Sequence, residues 1–116
     1  MKTGIELITE ERAAQFSREG YDAMHDDEHE HDEALAWAAT CYAAPSPIVA
    51  DILVPCGCRE ASCPHGDGLV QARGDPWPRH WQDKRKRHVR IRQLTIAGAL
   101  IAAEIDRLQR KEYHRP

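Results

Sequence analysis

The chain has 116 residues, 41% hydrophobic and 30% charged, which fits one small folded domain and excludes a disordered chain. A formal net charge of -3 argues against duplex DNA as a partner, and no apolar run reaches the roughly 18 residues that a membrane span needs. Only 6% of the residues are aromatic, so Ala, Leu and Ile must build a thin core, of the kind that a metal or oligomerisation often reinforces.

Thr3 and Glu6 stand at capping-box spacing, in which each side chain satisfies a free backbone N–H of the other. They predict a first helix from Thr3 to Glu19, with Ile5, Ile8 and Phe16 as its apolar stripe and Gly20 as its left-handed stop. Residues 19 to 33 are crowded with acids. Leu35, Ala38, Ala39 and Tyr42 then recur at helical spacing, with Trp37 at the stripe's edge and Cys41 as a buried thiol. This second helix starts in the acidic stretch, whose charge suits the N-terminal dipole, and ends before Pro45.

Residues 45 to 80 hold six of the seven prolines and are expected to form a loop insert. Within it, "IVADILV" at 48 to 54 is rich in β-branched residues and reads as a short strand or an extended tether. A third and longest helix is predicted from an Asp83 N-cap to Glu112. It carries two stripes, one of Leu94, Ala97, Ile101, Ile105 and Leu108, the other of Ile96, Leu100 and Ala103. A helix apolar over so wide an arc is covered on more than one side. The expected fold is therefore all-α: a single domain over 1–116, with three helices, a Pro/Cys-rich loop and self-association through the last helix. Ala97, Gly98 and Ala99 would admit a second helix closely.

Four cysteines without a secretory signal suggest thiols or a metal more than disulfides. Residues 1 to 20 contain four Glu and no apolar signal region, so the expected location is the cytoplasm. Cys56, Cys58, Cys63 and His65 form C-x-C-x4-C-x-H, a complete tetrahedral donor set for a structural zinc. The bland alternative is free thiols in a flexible insert. His25 and His29 share the i, i+4 spacing of zinc peptidases, but Asp26 replaces the glutamate and a third ligand is lacking. Glu30 and Glu33 lie one turn apart and would suit Mg²⁺, with Asp26, Asp27 and Glu104 as further oxygens. The competing reading is a solvated acidic helix entrance.

The segment "DKRKRHVRIR" collects Lys84, Arg85, Lys86, Arg87, Arg90 and Arg92 at the start of the last helix, where cations oppose the dipole. Either the acidic stretch or a bound phosphate would compensate them. Trp77, His80 and Trp81 lie just upstream, so Trp77 and Trp81 are candidates to stack on a base while Arg85, Arg87 and Arg90 hold phosphate. Alternatively the two tryptophans cap the end of the thin core.

The segments "ERAAQFSREGYDAMHDDEH", "ALAWAATCYA", "PWPRHW" and "RQLTIAGALIAAEIDRL" together resemble a group of small, mostly uncharacterised helical proteins encoded by phages and prophages. The cysteine loop lies outside that pattern. The resemblance implies a viral accessory protein acting inside a bacterial cell. Glu30 and Glu33 are also similar to the E-x-x-E helix of the all-α NTP pyrophosphohydrolases, which pair it with an E-x-x-D helix around Mg²⁺. Here Glu104 is followed by Asp106 at i+2 and Arg107 at i+3, and residues two apart do not share a helix face. Three functions are therefore expected in order: sequestration of a phosphorylated nucleotide such as a bacterial immune signal, Mg²⁺-dependent nucleotide hydrolysis through Glu30, Glu33 and Glu104, and protein-binding inhibition of a host defence system.

Overall fold

The computed structural model of the chain describes residues 1–17, 33–58, 64, 68–78 and 81–113. Two compact units emerge, one formed by Met1–Pro45 with Trp77–Pro116, the other by Ser46–Pro76. The described residues contain three α-helices and a two-stranded antiparallel sheet, so the fold is mixed and not all-α. No helix among them is long and apolar enough to cross a membrane.

Helix α1 spans Gly4–Ser17. Its start is the capping box expected from the sequence: Glu6 N–H donates to Thr3 Oγ1 at 3.2 Å, while Thr3 N–H and hydroxyl donate to Glu6 Oε1 at 3.3 and 3.0 Å. Gly20 lies outside the described residues. Helix α2 spans Ala34–Ala43. Glu33 precedes it in the left-handed conformation, at φ 55° and ψ 48°. Its end follows from Pro45: Ala44 turns extended, as a residue before proline must, while its N–H still reaches Thr40 C=O at 3.0 Å.

The second unit corrects the loop expected over 45 to 80. Strand β1, Ala50–Pro55, pairs with β2, Leu69–Gly74, with Ile52 opposite Ala72 and Val54 opposite Val70. Along β1 half-buried and exposed residues alternate, the period of two that makes a strand from Ile52 and Val54. Asp51 meets Arg73 across the ladder at 3.4 Å. Strand β2 escapes a sequence reading because "LVQARG" has only two large apolar residues; it becomes a strand by pairing with β1.

Helix α3 spans Arg90–Tyr113. It begins at Arg90 and not at Asp83, and a single 3-10 turn, Arg85–Arg87, stands before it. Four consecutive cations at 84–87 precede it, and its first turn adds Arg90 and Arg92, all at the end where cations oppose the helix dipole. Helix α3 packs on both α1 and α2. The core lies between α2 and α3 and joins Leu35, Ala38, Ala39 and Tyr42 to Ile96, Ala97, Leu100 and Ala103. Burial of each large aliphatic side chain there, Leu35, Ile96 and Leu100, contributes about 1.5–3 kcal/mol.

The α1 stripe is a second correction. Of Ile5, Ile8 and Phe16, Ile5 and Phe16 are exposed, and only Ile8 reaches α3, where it lies against Gly98. The face that α1 buries carries Glu11 and Gln15, which follow Ile8 at steps of three and four. Sequence spacing favoured the apolar residues; tertiary contact selected the row that fits over a glycine.

Candidate functional site

Three features of the helical unit have chemical or binding potential. The first is the aromatic and basic collar at 77–90. Trp77 and Trp81 are half-buried against the core, and their rings meet edge to face with centroids 6.3 Å apart. The Trp77 indole N–H donates to Trp81 C=O at 3.1 Å, and Tyr42 stands 5.5 Å from Trp77 in a T-shaped pair. The Arg85 guanidinium lies 4.6 Å from the centre of the Trp77 ring. It also grips Asp83 with two bonds, at 2.9 and 2.6 Å, and the Arg85 N–H adds a third at 3.0 Å. The side-chain bond from Arg85 holds the Asp83 carboxyl below its ordinary value of 3.8, against the opposing pull of burial. Gln93 ties the collar to α3 by donating to Arg85 C=O at 3.0 Å.

Arg90 faces elsewhere. Its guanidinium donates to the C=O groups of Tyr42 and Ala44, each at 3.1 Å, and to that of Ala43. These are C-terminal carbonyls of α2, so Arg90 acts as a cationic helix cap. Among the proposed ligand residues, Trp77, Trp81 and Arg85 come together, Arg87 is exposed on the 3-10 turn, and Arg90 is engaged by α2. A base stacking on Trp77 would meet the ring on which Arg85 already lies, and a phosphate at Arg85 would meet the Asp83 carboxylate.

The second feature is a polar seam that sequence reasoning did not anticipate. Glu11 is 4% exposed and paired with Arg92, and Gln15, 2% exposed, donates to Glu11 Oε1 at 3.4 Å. Among the described residues, Gln15 Oε1 has no hydrogen-bond partner. On α3, Arg107 holds the Glu104 carboxylate by two bonds of 2.5 and 3.2 Å, with both side chains buried. A sequence signal existed in the i, i+4 and i, i+3 spacings of these pairs, but burial is a property of the packed helices. Glu104, a candidate Mg²⁺ ligand, is thus engaged by an arginine one turn away. Glu33 is exposed at the entrance of α2, while Glu30, Asp26, Asp27, His25 and His29 lie outside the described residues.

Of the zinc set, Cys56 and Cys58 follow β1 directly, and Cys58 N–H donates to Cys56 Sγ at 3.4 Å. Cys63 and His65 lie outside the described residues, as does His80. No cluster of three or more metal-ligating side chains occurs among the described residues. Cys41 is buried in α2, as its place in the helical pattern predicts.

The third feature is the outer row of α3. Ile91, Leu94, Ile101, Ile105 and Leu108 are 44–70% exposed. At 3.6 residues per turn they share an arc of about 100°. The stripe of Ile96, Leu100 and Ala103 points into the core, and α1 borders the outer row, with Ile8 over Gly98 inside the same arc and Glu11 and Arg12 meeting Arg92 and Asp106 beside it. Of the outer stripe expected from the sequence, only Ala97 is buried. Compared with protein-family models, curated proteins and solved structures, the chain shows no significant match.

Proposed function

We propose that the protein is a non-enzymatic binding protein that works by docking, with the outer row of α3 as its docking face. One observation carries this reading. Five large aliphatic side chains on α3 stand at 44–70% exposure, whereas its own core face holds only Ile96 and Leu100 as large apolar groups. A row of exposed large apolar side chains on one helix face supports an interaction surface. The setting we propose is a bacterial host cell, in keeping with the resemblance to phage-encoded proteins, and self-association is part of the reading. The bidentate hold of Arg107 on Glu104 supports a structural role for that carboxylate over a hydrolytic one.

The test is recovery of the tagged chain from host cells beside an Ile105→Lys variant. A specific companion, identified by mass and lost with the variant, is expected. If every companion is retained, the reading fails. Incubation with a nucleotide panel and Mg²⁺ is expected to leave all nucleotides intact, and any hydrolysis overturns the non-enzymatic assignment.

A second reading takes the collar as a site for a phosphorylated nucleotide. It is favoured by one juxtaposition: the half-buried Trp77 and Trp81 adjoin Arg85, with exposed Lys86 and Arg87 on the same turn. A saturating ligand at a hundredfold excess over its Kd stabilises a protein by about 2.7 kcal/mol, so a thermal-shift screen with linear and cyclic nucleotides decides it. We further propose a structural zinc on Cys56, Cys58, Cys63 and His65, supported by the position of Cys56 and Cys58 at the mouth of the β1–β2 hairpin. Metal analysis of the purified chain is expected to find zinc, lost in Cys58→Ser. A metal-free native chain ends that proposal.

A further inference from the structure

Helix α1 buries polar residues and no apolar one. Glu11 and Gln15 are buried, Leu7 and Ile8 are half-buried, and Ile5 and Phe16 are exposed. The core cluster joins α2 to α3 and draws no residue from α1. On α3, Ile8 lies against Gly98, Glu11 is paired with Arg92, and Arg12 stands 3.8 Å from Asp106. Arg92 and Asp106 flank Gly98 and lie about 21 Å apart along the helix axis. Adjacent residues of α1 reach them in opposite directions, so α1 lies across the middle of α3.

That position crosses the outer row. Gly98 falls within the arc of Ile91, Leu94, Ile101, Ile105 and Leu108, so Ile8 divides the first two of these from the last three. We propose that α1 is an autoinhibitory crossbar: a partner that seats along the whole row must displace Ile8, and α1 yields at little cost. This rests on the reading of the row as a docking face and names how that face is regulated. The cost is small because α1 is docked through groups that water also satisfies. The Glu11 carboxylate gives up hydration that its pairing with Arg92 must offset, and the Arg92 side chain is already 42% exposed. Gln15 Oε1 has no hydrogen-bond partner among the described residues, so release returns water to it. The cluster between α2 and α3 is complete without α1. A 14-residue helix is marginal alone, so released α1 loses its helical hydrogen bonds. Docking then scales with the fraction of chains in which α1 is open.

Peptide-resolved hydrogen exchange of the full chain tests the release. Amides of residues 8–17 should exchange about tenfold or more faster than those of the α2–α3 core, which open only with the whole unit. Equal protection in all three helices overturns the proposal. Arg92→Glu sets a like charge against Glu11, while a glutamate near the N-terminus of α3 suits that helix's dipole. It should strip protection from α1 and leave α2 and α3 protected. A variant unfolded throughout overturns the proposal, because α1 is then not separable. A lock reads the effect on docking. A Cβ on Gly98 would lie 2.8 Å from Ile8 Cγ1, which is one bond of about 1.5 Å from Ile8 Cβ. The two Cβ atoms are thus within about 4.3 Å, inside disulfide range. Ile8→Cys with Gly98→Cys should close with glutathione disulfide and reopen with dithiothreitol. The closed form should capture the companion that Ile105→Lys abolishes about tenfold less than the reduced form does, beyond any change in the native chain. Equal capture by both forms refutes the crossbar and leaves the docking face standing. A companion indifferent to Ile105→Lys refutes the docking face, and its regulation falls with it.

Discussion

Gly98→Ala measures how α1 is held to α3. A methyl group built on Gly98 would sit 2.5 Å from Ile8 Cδ1, 2.8 Å from its Cγ1 and 3.5 Å from its Cγ2. The first contact involves a side-chain tip that can rotate away. The second involves an atom one bond from Cβ, so α1 itself must shift. Two effects compete. Replacing glycine by alanine inside a helix stabilises it by about 1 kcal/mol. Overpacking a closed contact costs about 1–3 kcal/mol. The net expectation is a loss of up to about 2 kcal/mol. In an Ile8→Ala background the clash vanishes and only the helix term remains, so the same substitution should then stabilise by about 1 kcal/mol. Urea unfolding of all four chains, at one fixed protein concentration, reads the double-mutant cycle. Equal stabilisation in both backgrounds would refute the close approach of Ile8 to Gly98.

Arg90→Ala should cost about 1.5–3 kcal/mol, because the carbonyls at the end of α2 lose a charged donor; urea unfolding measures it, and an unchanged midpoint would contradict the cap. Arg107→Met leaves the Glu104 carboxylate buried without its partner and should destabilise by about 3–5 kcal/mol, most of it recovered when Glu104→Leu is added. Thermal unfolding of the two variants checks this, and an additive double variant counts against the pairing. Asp83 has a folded-state pKa below its ordinary value of 3.8, so its contribution to stability is fully present above that value and is lost as pH falls through the lower folded value. Acid unfolding of Asp83→Asn should therefore lack part of the loss that the native chain shows below about pH 4. A native-like acid profile in Asp83→Asn would show that the bond to Arg85 does not matter to folding.

Local chemistry was readable from the residues alone. The capping box needs only Thr3 and Glu6 three positions apart, and the structure contains it with both bonds in place. The α2 pattern of Leu35, Ala38, Ala39 and Tyr42 and its stop before Pro45 are likewise consequences of helical period and proline sterics. The two stripes of α3 were visible as stripes. Which of them faces the core was not, because both satisfy the same period. Packing of α2 against Ile96, Leu100 and Ala103 decided it, and left Ile101, Ile105 and Leu108 outside.

The nonlocal contacts belonged to the tertiary structure. Strand β2 exists because β1 offers it a ladder, and Leu69–Gly74 has too little apolar content to announce itself. Glu11 and Gln15 are buried in place of Ile5 and Phe16 where α1 packs on α3, with Ile8 against Gly98 and Glu11 paired with Arg92, residues far away in the sequence. Arg90 resembled a phosphate ligand in the company of its sequence neighbours, yet the carbonyls of α2 claimed it in space. Hydrophobic period, caps and breakers act over a single turn, so the chain carries them wherever it goes. Burial, cross-strand pairing and the partner of a guanidinium are set by which surfaces meet, and that is settled only when the helices pack.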